Sequence, residues 1–137
     1  MPTKVLVIDD DFSMTRLLKL ILEDAGFEVA TANGGQEGLD LLPGFDPAVL
    51  ILDLMMPIMN GWQVCAAVRA FSDVPILIFT ALDNMQLVIQ AIDYGADDYL
   101  IKPVSYDDLI THLKKLIQRR VLNAKNSPAQ PGVPPAA

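Results

Sequence analysis

Four short apolar runs punctuate the chain, and each ends in a polar residue with chemistry to offer. Val5-Leu6-Val7-Ile8 ends in Asp9-Asp10, and Ala48-Val49-Leu50-Ile51-Leu52 ends in Asp53. Ile76-Leu77-Ile78-Phe79 ends in Thr80, and Tyr99-Leu100-Ile101 ends in Lys102. Continuous runs of this length suit strands buried on both faces, as in a parallel sheet covered by helices. Between them the apolar positions take up a helical period. Met14, Leu17, Leu18, Ile21, Leu22 and Ala25 share one stripe, stopped by Gly26. Phe27 to Thr31 alternates like a half-buried strand near an edge. Further helices are expected over 35–42 (ended by Pro43-Gly44), over 61–70 after the loop 55–59, over 84–94 and over 105–120. Capping signals agree with this division. Asn33 and Gln36, Asn60 and Gln63, Asp83 and Gln86, and Ser105 and Asp108 each place a short polar cap three residues before a group able to reach back. Strand and helix therefore alternate from end to end, an α/β pattern.

Composition narrows the class. A chain of 137 residues fits one domain, long enough to bury roughly two thirds of its unfolded surface. An apolar content of 52% exceeds the globular average and fits a sheet covered on both faces. The net charge of −7 argues against nucleic acid or an anionic membrane as a direct partner. The single cysteine, Cys65, excludes an intramolecular disulfide framework and fits a reducing compartment; it is expected as a packed or half-exposed thiol in the third helix. The chain enters a strand within a few residues, and no apolar run approaches the ~20 residues of a membrane-spanning helix, so a cytoplasmic location is expected. The domain is expected over 1–122. Residues 123–137 hold four prolines and few core-forming side chains, which reads as a flexible tail or the start of a linker.

In a parallel α/β sheet, ligands sit beyond the carboxyl ends of the strands. The four runs would therefore bring three carboxylates, a hydroxyl and an ammonium to one crevice. A lone aspartate at a strand end is commonplace, because it caps the following helix; Asp11 is read that way. Asp9 and Asp10 together exceed what one cap needs. A hard cation such as Mg²⁺ (Mn²⁺ is an alternative) takes one or two carboxylates, with water and phosphate oxygens completing its shell. Asp9, Asp10 and Asp53 can supply them, with the Met55 carbonyl close at hand. One carboxylate could then attack phosphorus, while Lys102 and Thr80 stabilise the charge on the equatorial oxygens. Ala81 is small enough to leave a path for a bulky donor. No Gly-rich loop follows the first strand, which disfavours a nucleotide-binding Rossmann protein.

These residues carry a family resemblance. Val-Leu-Val-Ile-Asp-Asp-Asp at 5–11, Leu-Ile-Leu-Asp-Leu-Met-Met-Pro-Ile-Met-Asn-Gly at 50–61, Ile-Phe-Thr-Ala at 78–81 and Gly-Ala-Asp-Asp-Tyr-Leu-Ile-Lys-Pro at 95–103 resemble the receiver domain of two-component response regulators. The resemblance covers residues 3–120. It implies a (βα)5 flavodoxin-like, doubly wound sandwich with a five-stranded parallel sheet in the order 2-1-3-4-5. It implies Asp53 as phosphoacceptor, served by a histidine kinase or phosphotransfer protein. It implies Mg²⁺ held by Asp10, Asp53 and the Met55 carbonyl, with Asp9 helping through water, and Lys102 and Thr80 on the phosphoryl oxygens. It further implies a cis Lys102–Pro103 peptide and a switch pair, Thr80 and Tyr99, that reshapes the surface over 84–120. Such a protein promotes its own modification but turns over no external substrate, so it is not expected to be an enzyme in the usual sense.

The alternatives are a phosphorylation-independent scaffold of the same fold, which would have no reason to keep this site intact, and an aspartyl phosphatase, which usually needs a second acid where Met55 stands. Met55 and Leu82 are apolar where some relatives carry polar residues. Neither can orient an attacking water well, so slow loss of the phosphoryl group is expected. In the helix over 84–94, Met85, Val88, Ile89 and Ile92 are expected against the sheet, with Leu87 and Ala91 widening the apolar arc. That excess suggests a homodimer through the 84–120 face, with Asp97, Asp98, Asp107, Asp108, Lys114, Lys115, Arg119 and Arg120 as candidate charges. His112, the one histidine, is expected as a solvated surface residue.

Overall fold

All the apolar runs join one parallel sheet. In the computed structural model, which describes residues 2–126, β1 (Lys4–Ile8), β2 (Glu28–Ala32), β3 (Val49–Leu52), β4 (Ile76–Thr80) and β5 (Asp98–Ile101) stand in the order β2-β1-β3-β4-β5. The expected flavodoxin-like fold and strand order are those observed. Ile8 pairs with Leu52 and Leu52 with Ile78, while Thr80 pairs with Ile101. This register makes the strands end nearly together, so the residues that follow leave side by side.

The five helices are α1 (Phe12–Asp24), α2 (Gly35–Phe45), α3 (Gly61–Arg69), α4 (Met85–Asp93) and α5 (Tyr106–Asn126). Because side chains alternate along a strand, the sheet splits its core in two. Leu6, Ile8, Leu50, Leu52, Ile76 and Ile78 pack with Leu42 of α2, Val64 and Val68 of α3, and Val88 and Ala91 of α4. Val5, Val7, Ile51, Leu77 and Phe79 pack on the other face with Leu18 and Leu22 of α1 and Leu109, Leu113 and Leu116 of α5. β1, β3 and β4 are covered on both faces, hence their near-continuous apolar sequences.

Several elements differ from expectation, each for a local reason. α2 does not stop at Pro43-Gly44 but runs to Phe45 with Pro43 inside it, and Asp46 closes it in the left-handed region at φ 51°, its N–H donating to the Leu42 carbonyl. A proline this close to the end removes one helical bond and leaves the earlier turns intact. Asn33 does not cap α2, because its side chain is engaged elsewhere; Glu37 reaches back instead and accepts from the Asn33 N–H. Asn84 rather than Asp83 caps α4, accepting from Gln86 and Leu87 N–H. The Asn60–Gln63 capping box is complete in both directions, and the Ser105 hydroxyl accepts from Asp108 N–H. α5 continues to Asn126, past the expected domain boundary at 122; the remainder of the expected tail, 127–137, lies outside the described residues.

On α1, Leu18, Leu22 and Thr15 are buried, whereas Leu17 and Ala25 are exposed. On α4 only Val88 and Ala91 are buried; Val88 faces the sheet as expected, whereas Met85, Ile89 and Ile92, expected there too, face outward with Leu87, and Ala91 takes the interior instead. A further tie holds α4 to its neighbour: the Trp62 indole N–H donates to the Leu87 carbonyl at 2.9 Å. His112 is not simply solvated. Its Nδ1 lies 2.9 Å from Asp98 Oδ2, linking α5 to the edge strand. Cys65 is fully packed, and burial pushes its thiol up to about 12. Among the described residues, no helix is long and apolar enough to cross a membrane.

Candidate functional site

The carboxyl end of the sheet gathers the residues singled out by the sequence. Asp9 and Asp10 follow β1, Asp53 follows β3, Thr80 ends β4 and Lys102 follows β5. Asp9 N–H still pairs with the Ala32 carbonyl at 3.1 Å, and Asp53 N–H with the Ile8 carbonyl at 3.0 Å, so both acids are anchored by the last rungs of the sheet. Asp11 turns away and caps α1, accepting from Ser13 and Met14 N–H.

Oxygen atoms from Asp9, Asp10 and Asp53 all lie within 4.8 Å of one another. Asp9 and Asp53 are buried while Asp10 is exposed, so the cluster opens to solvent on one side. Lys102 provides the counter-charge. Its Nζ is 2.8 Å from Asp9 Oδ2 and 3.8 Å from Asp53 Oδ2, and it sits 5.3 Å from the centre of the Phe79 ring. The tighter partner is Asp9, leaving Asp53 the less neutralised of the two. Burial raises the Asp53 carboxyl above its ordinary value; nearby Lys102 opposes that shift and nearby Asp9 adds to it. The Met55 N–H donates weakly to Asp53 Oδ1 at 3.4 Å, which places the Met55 main chain beside the pocket.

Three carboxylates against one ammonium leave an uncompensated negative pocket made of hard oxygen donors. That donor set fits Mg²⁺ or Mn²⁺, which prefer carboxylate oxygen and retain water.

Local sequence explains the precision of this end. Gly61 opens α3 where a Cβ would collide with the Asp53 carbonyl and with Leu54 Cα, so α3 packs directly on the backbone that carries Asp53. Ile58, at φ 69° and fully exposed, lies in the connecting loop; a β-branched residue rarely adopts that backbone. Thr80 is fully buried, and its Oγ1 accepts from Leu82 N–H at 3.2 Å. Tyr99 lies on the same sheet face as Thr80 and Ile78 and packs with the α3–α4 side of the core, half-buried. The Lys102–Pro103 peptide is cis. All the expected site residues are thus brought to one end of the sheet, with Tyr99 set back by two residues. The sequence reading missed Asn33, whose side chain donates to the Asp9 carbonyl; its place before a helix made it resemble a cap.

Comparison with known proteins follows the same lines. Residues 5–114 match the family model of the response regulator receiver domain. The chain is 40% identical over 116 residues to a probable transcriptional regulator ycf27 of Cyanophora paradoxa, covering 85% of this chain and 48% of that protein. It is 38% identical over 120 residues to the response regulator MprA of Mycolicibacterium vanbaalenii, covering 87% and 52%. The chain therefore spans about half the length of these curated relatives. Among solved structures, a putative response regulator from Chloroflexus aurantiacus superposes with a TM-score of 0.82 at 34% identity, covering 87% of this chain and all of that one. A two-component response regulator from Clostridium difficile gives 0.83 at 29% identity, covering 86% and 98%. With its fold, its strand-end residues and its sequence all in agreement, the chain belongs to the response regulator receiver domain family.

Proposed function

We propose that this domain accepts a phosphoryl group on Asp53, with Mg²⁺ as cofactor, from a histidine kinase or phosphotransfer protein in the cytoplasm. The observation that carries this reading is the convergence of Asp9, Asp10, Asp53 and Lys102 at one pocket in which Asp53 is buried yet incompletely neutralised. Bound at the three carboxylates, the cation would supply positive charge to the oxygens of the incoming phosphoryl group. An oxygen of Asp53 attacks phosphorus, the P–N bond of the phosphohistidine breaks, and its electron pair returns to the imidazole nitrogen. Lys102 and the Thr80 hydroxyl then meet the new phosphoryl oxygens. For Lys102 this means exchanging part of its bond to Asp9 for the new group, which couples the charge state of Asp53 to β5.

From there the modification reaches the 84–120 face. Thr80 is drawn toward the phosphoryl group, space opens on its sheet face, and Tyr99 moves inward. The exposed Met85, Ile89 and Ile92 of α4 would form the apolar part of a homodimer or partner surface. Asp97, Asp98 and Arg120 are less available for cross-dimer pairs than their exposure suggests, since they already pair with Arg69, His112 and Asp73. The domain works as a switch rather than as an enzyme acting on an external substrate.

The test is intact mass after incubation with acetyl phosphate and Mg²⁺, or beryllofluoride where the small donor is refused. A metal-dependent gain of one phosphoryl group, absent in Asp53→Asn, is expected, and its decay should be slow and quicken in Met55→Gln. Failure with both reagents would turn the reading toward a phosphorylation-independent scaffold.

A further inference from the structure

Asp9 lies just past the end of β1 and still extends the ladder to β2, but only through its N–H. That N–H donates to Ala32 O. In a continued parallel ladder, the Asp9 carbonyl would accept from the amide of residue 34. β2 ends at Ala32, however, and the chain turns into α2. The Asn33 side chain takes up the vacated rung: its Nδ2 donates to the Asp9 carbonyl at 2.9 Å and to Thr15 Oγ1 at 3.0 Å. A main-chain carbonyl can only accept, so the amide nitrogen must be the end that faces it.

Asn33 is itself secured from two sides. Its N–H donates to Glu37 Oε2 at 3.1 Å, and the buried Thr15 is fixed by its hydroxyl donating to the Phe12 carbonyl at 3.2 Å. The carbonyl of Asp9 and the N–H of Asp10 belong to one rigid peptide plane. Holding that carbonyl therefore sets the direction in which Asp10 leaves the strand. Asp10 needs this help most. It is exposed, and it faces two other carboxylates whose repulsion favours swinging it out to water.

We propose that Asn33 is a positioning residue for the acidic pocket, holding the Asp9–Asp10 peptide so that both carboxylates are in place for a divalent cation that Asn33 itself does not touch. The inference rests on the cation reading of the pocket given above. Groups one bond removed from metal ligands typically change affinity tenfold to about a hundredfold when lost.

Titration of the full, unphosphorylated chain with Mn²⁺, following the free ion by electron paramagnetic resonance, reads this without any phosphoryl transfer. Asn33→Ala should weaken Mn²⁺ binding by about tenfold or more. Asn33→Ser, polar but one bond shorter, should do the same. Glu37→Ala removes the anchor of the Asn33 main chain but leaves the amide on Asp9. It should lower the thermal midpoint and leave the affinity near that of the native chain. Native affinity in both Asn33 variants, whatever happens to their stability, would overturn the proposal and make Asn33 a structural link only. A native chain that binds no Mn²⁺ would remove the cation reading itself, and this proposal with it, an outcome told apart because it is read before any substitution.

Discussion

β3 and β5 deliver opposite charges to the same pocket from opposite circumstances. Every residue of β3 is buried, flanked by β1 and β4 and covered on both faces. Every residue of β5 is only half-buried, at the edge of the sheet beside the thinly anchored α4. Asp53 therefore follows a strand constrained on every side, and Lys102 follows one that is not. Under the proposed phosphoryl transfer this difference would assign roles: Asp53 is held still, while the counter-charge that answers to it sits where displacement costs little packing. Elements with few buried contacts are those that open most readily.

Truncation within the two strands should give the largest contrast. Ile51→Ala in β3 is expected to cost about 2–5 kcal/mol in urea unfolding, as for a fully buried branched side chain. Leu100→Ala in β5, half-buried to begin with, should cost nearer ~1 kcal/mol. Equal losses would erase the distinction between the strands.

Removing the charge that joins them comes next. Lys102→Met leaves Asp9, 4% exposed at its side chain, without its cation. Breaking a fully buried pair costs about 3–5 kcal/mol, and because Lys102 keeps some exposure the loss here should be about 2–3 kcal/mol. Asp9→Asn in the same chain should recover part of it, as a double-mutant cycle would show.

The smallest effect sharpens the Asp53 side. Its folded pKa lies above the ordinary value of 3.8, so the ionised carboxylate opposes folding at neutral pH. Asp53→Asn should therefore raise the thermal midpoint at pH 7 in the absence of Mg²⁺. The gain should shrink as pH falls through the raised folded pKa and vanish below the unfolded one, where both states are protonated. A gain that persists in acid would point to packing instead.

What could be read from the sequence follows the physics of burial. The continuous apolar runs at 5–8, 48–52 and 76–79 arise because three strands are covered on both faces, so the strands and the acids that end them were both legible. Faces were harder. On α4 the apolar arc is so wide that its period does not say which third meets the sheet, and Val88 with Ala91, not Met85 with Ile89, won the interior. Local cap signals failed where a side chain had a better tertiary partner, as with Asn33 and the Asp9 carbonyl. His112 paired with Asp98 across 14 residues, a contact that no helical wheel displays. α2 outran its Pro-Gly signal because the proline falls within the last turn, where little helix remains to be broken.

The bond from the Trp62 indole to the Leu87 carbonyl has a spectroscopic consequence. Trp62 is the chain's only tryptophan, and it spans the seam between α3 and α4, a helix that buries only Val88 and Ala91. Its emission therefore comes from a single site, at the boundary that a displacement of α4 would have to open. Withdrawal of α4 would trade the carbonyl for water and shift the emission to longer wavelength. The domain thus carries its own optical gauge of the proposed switch, readable without a dye, a label or an added residue.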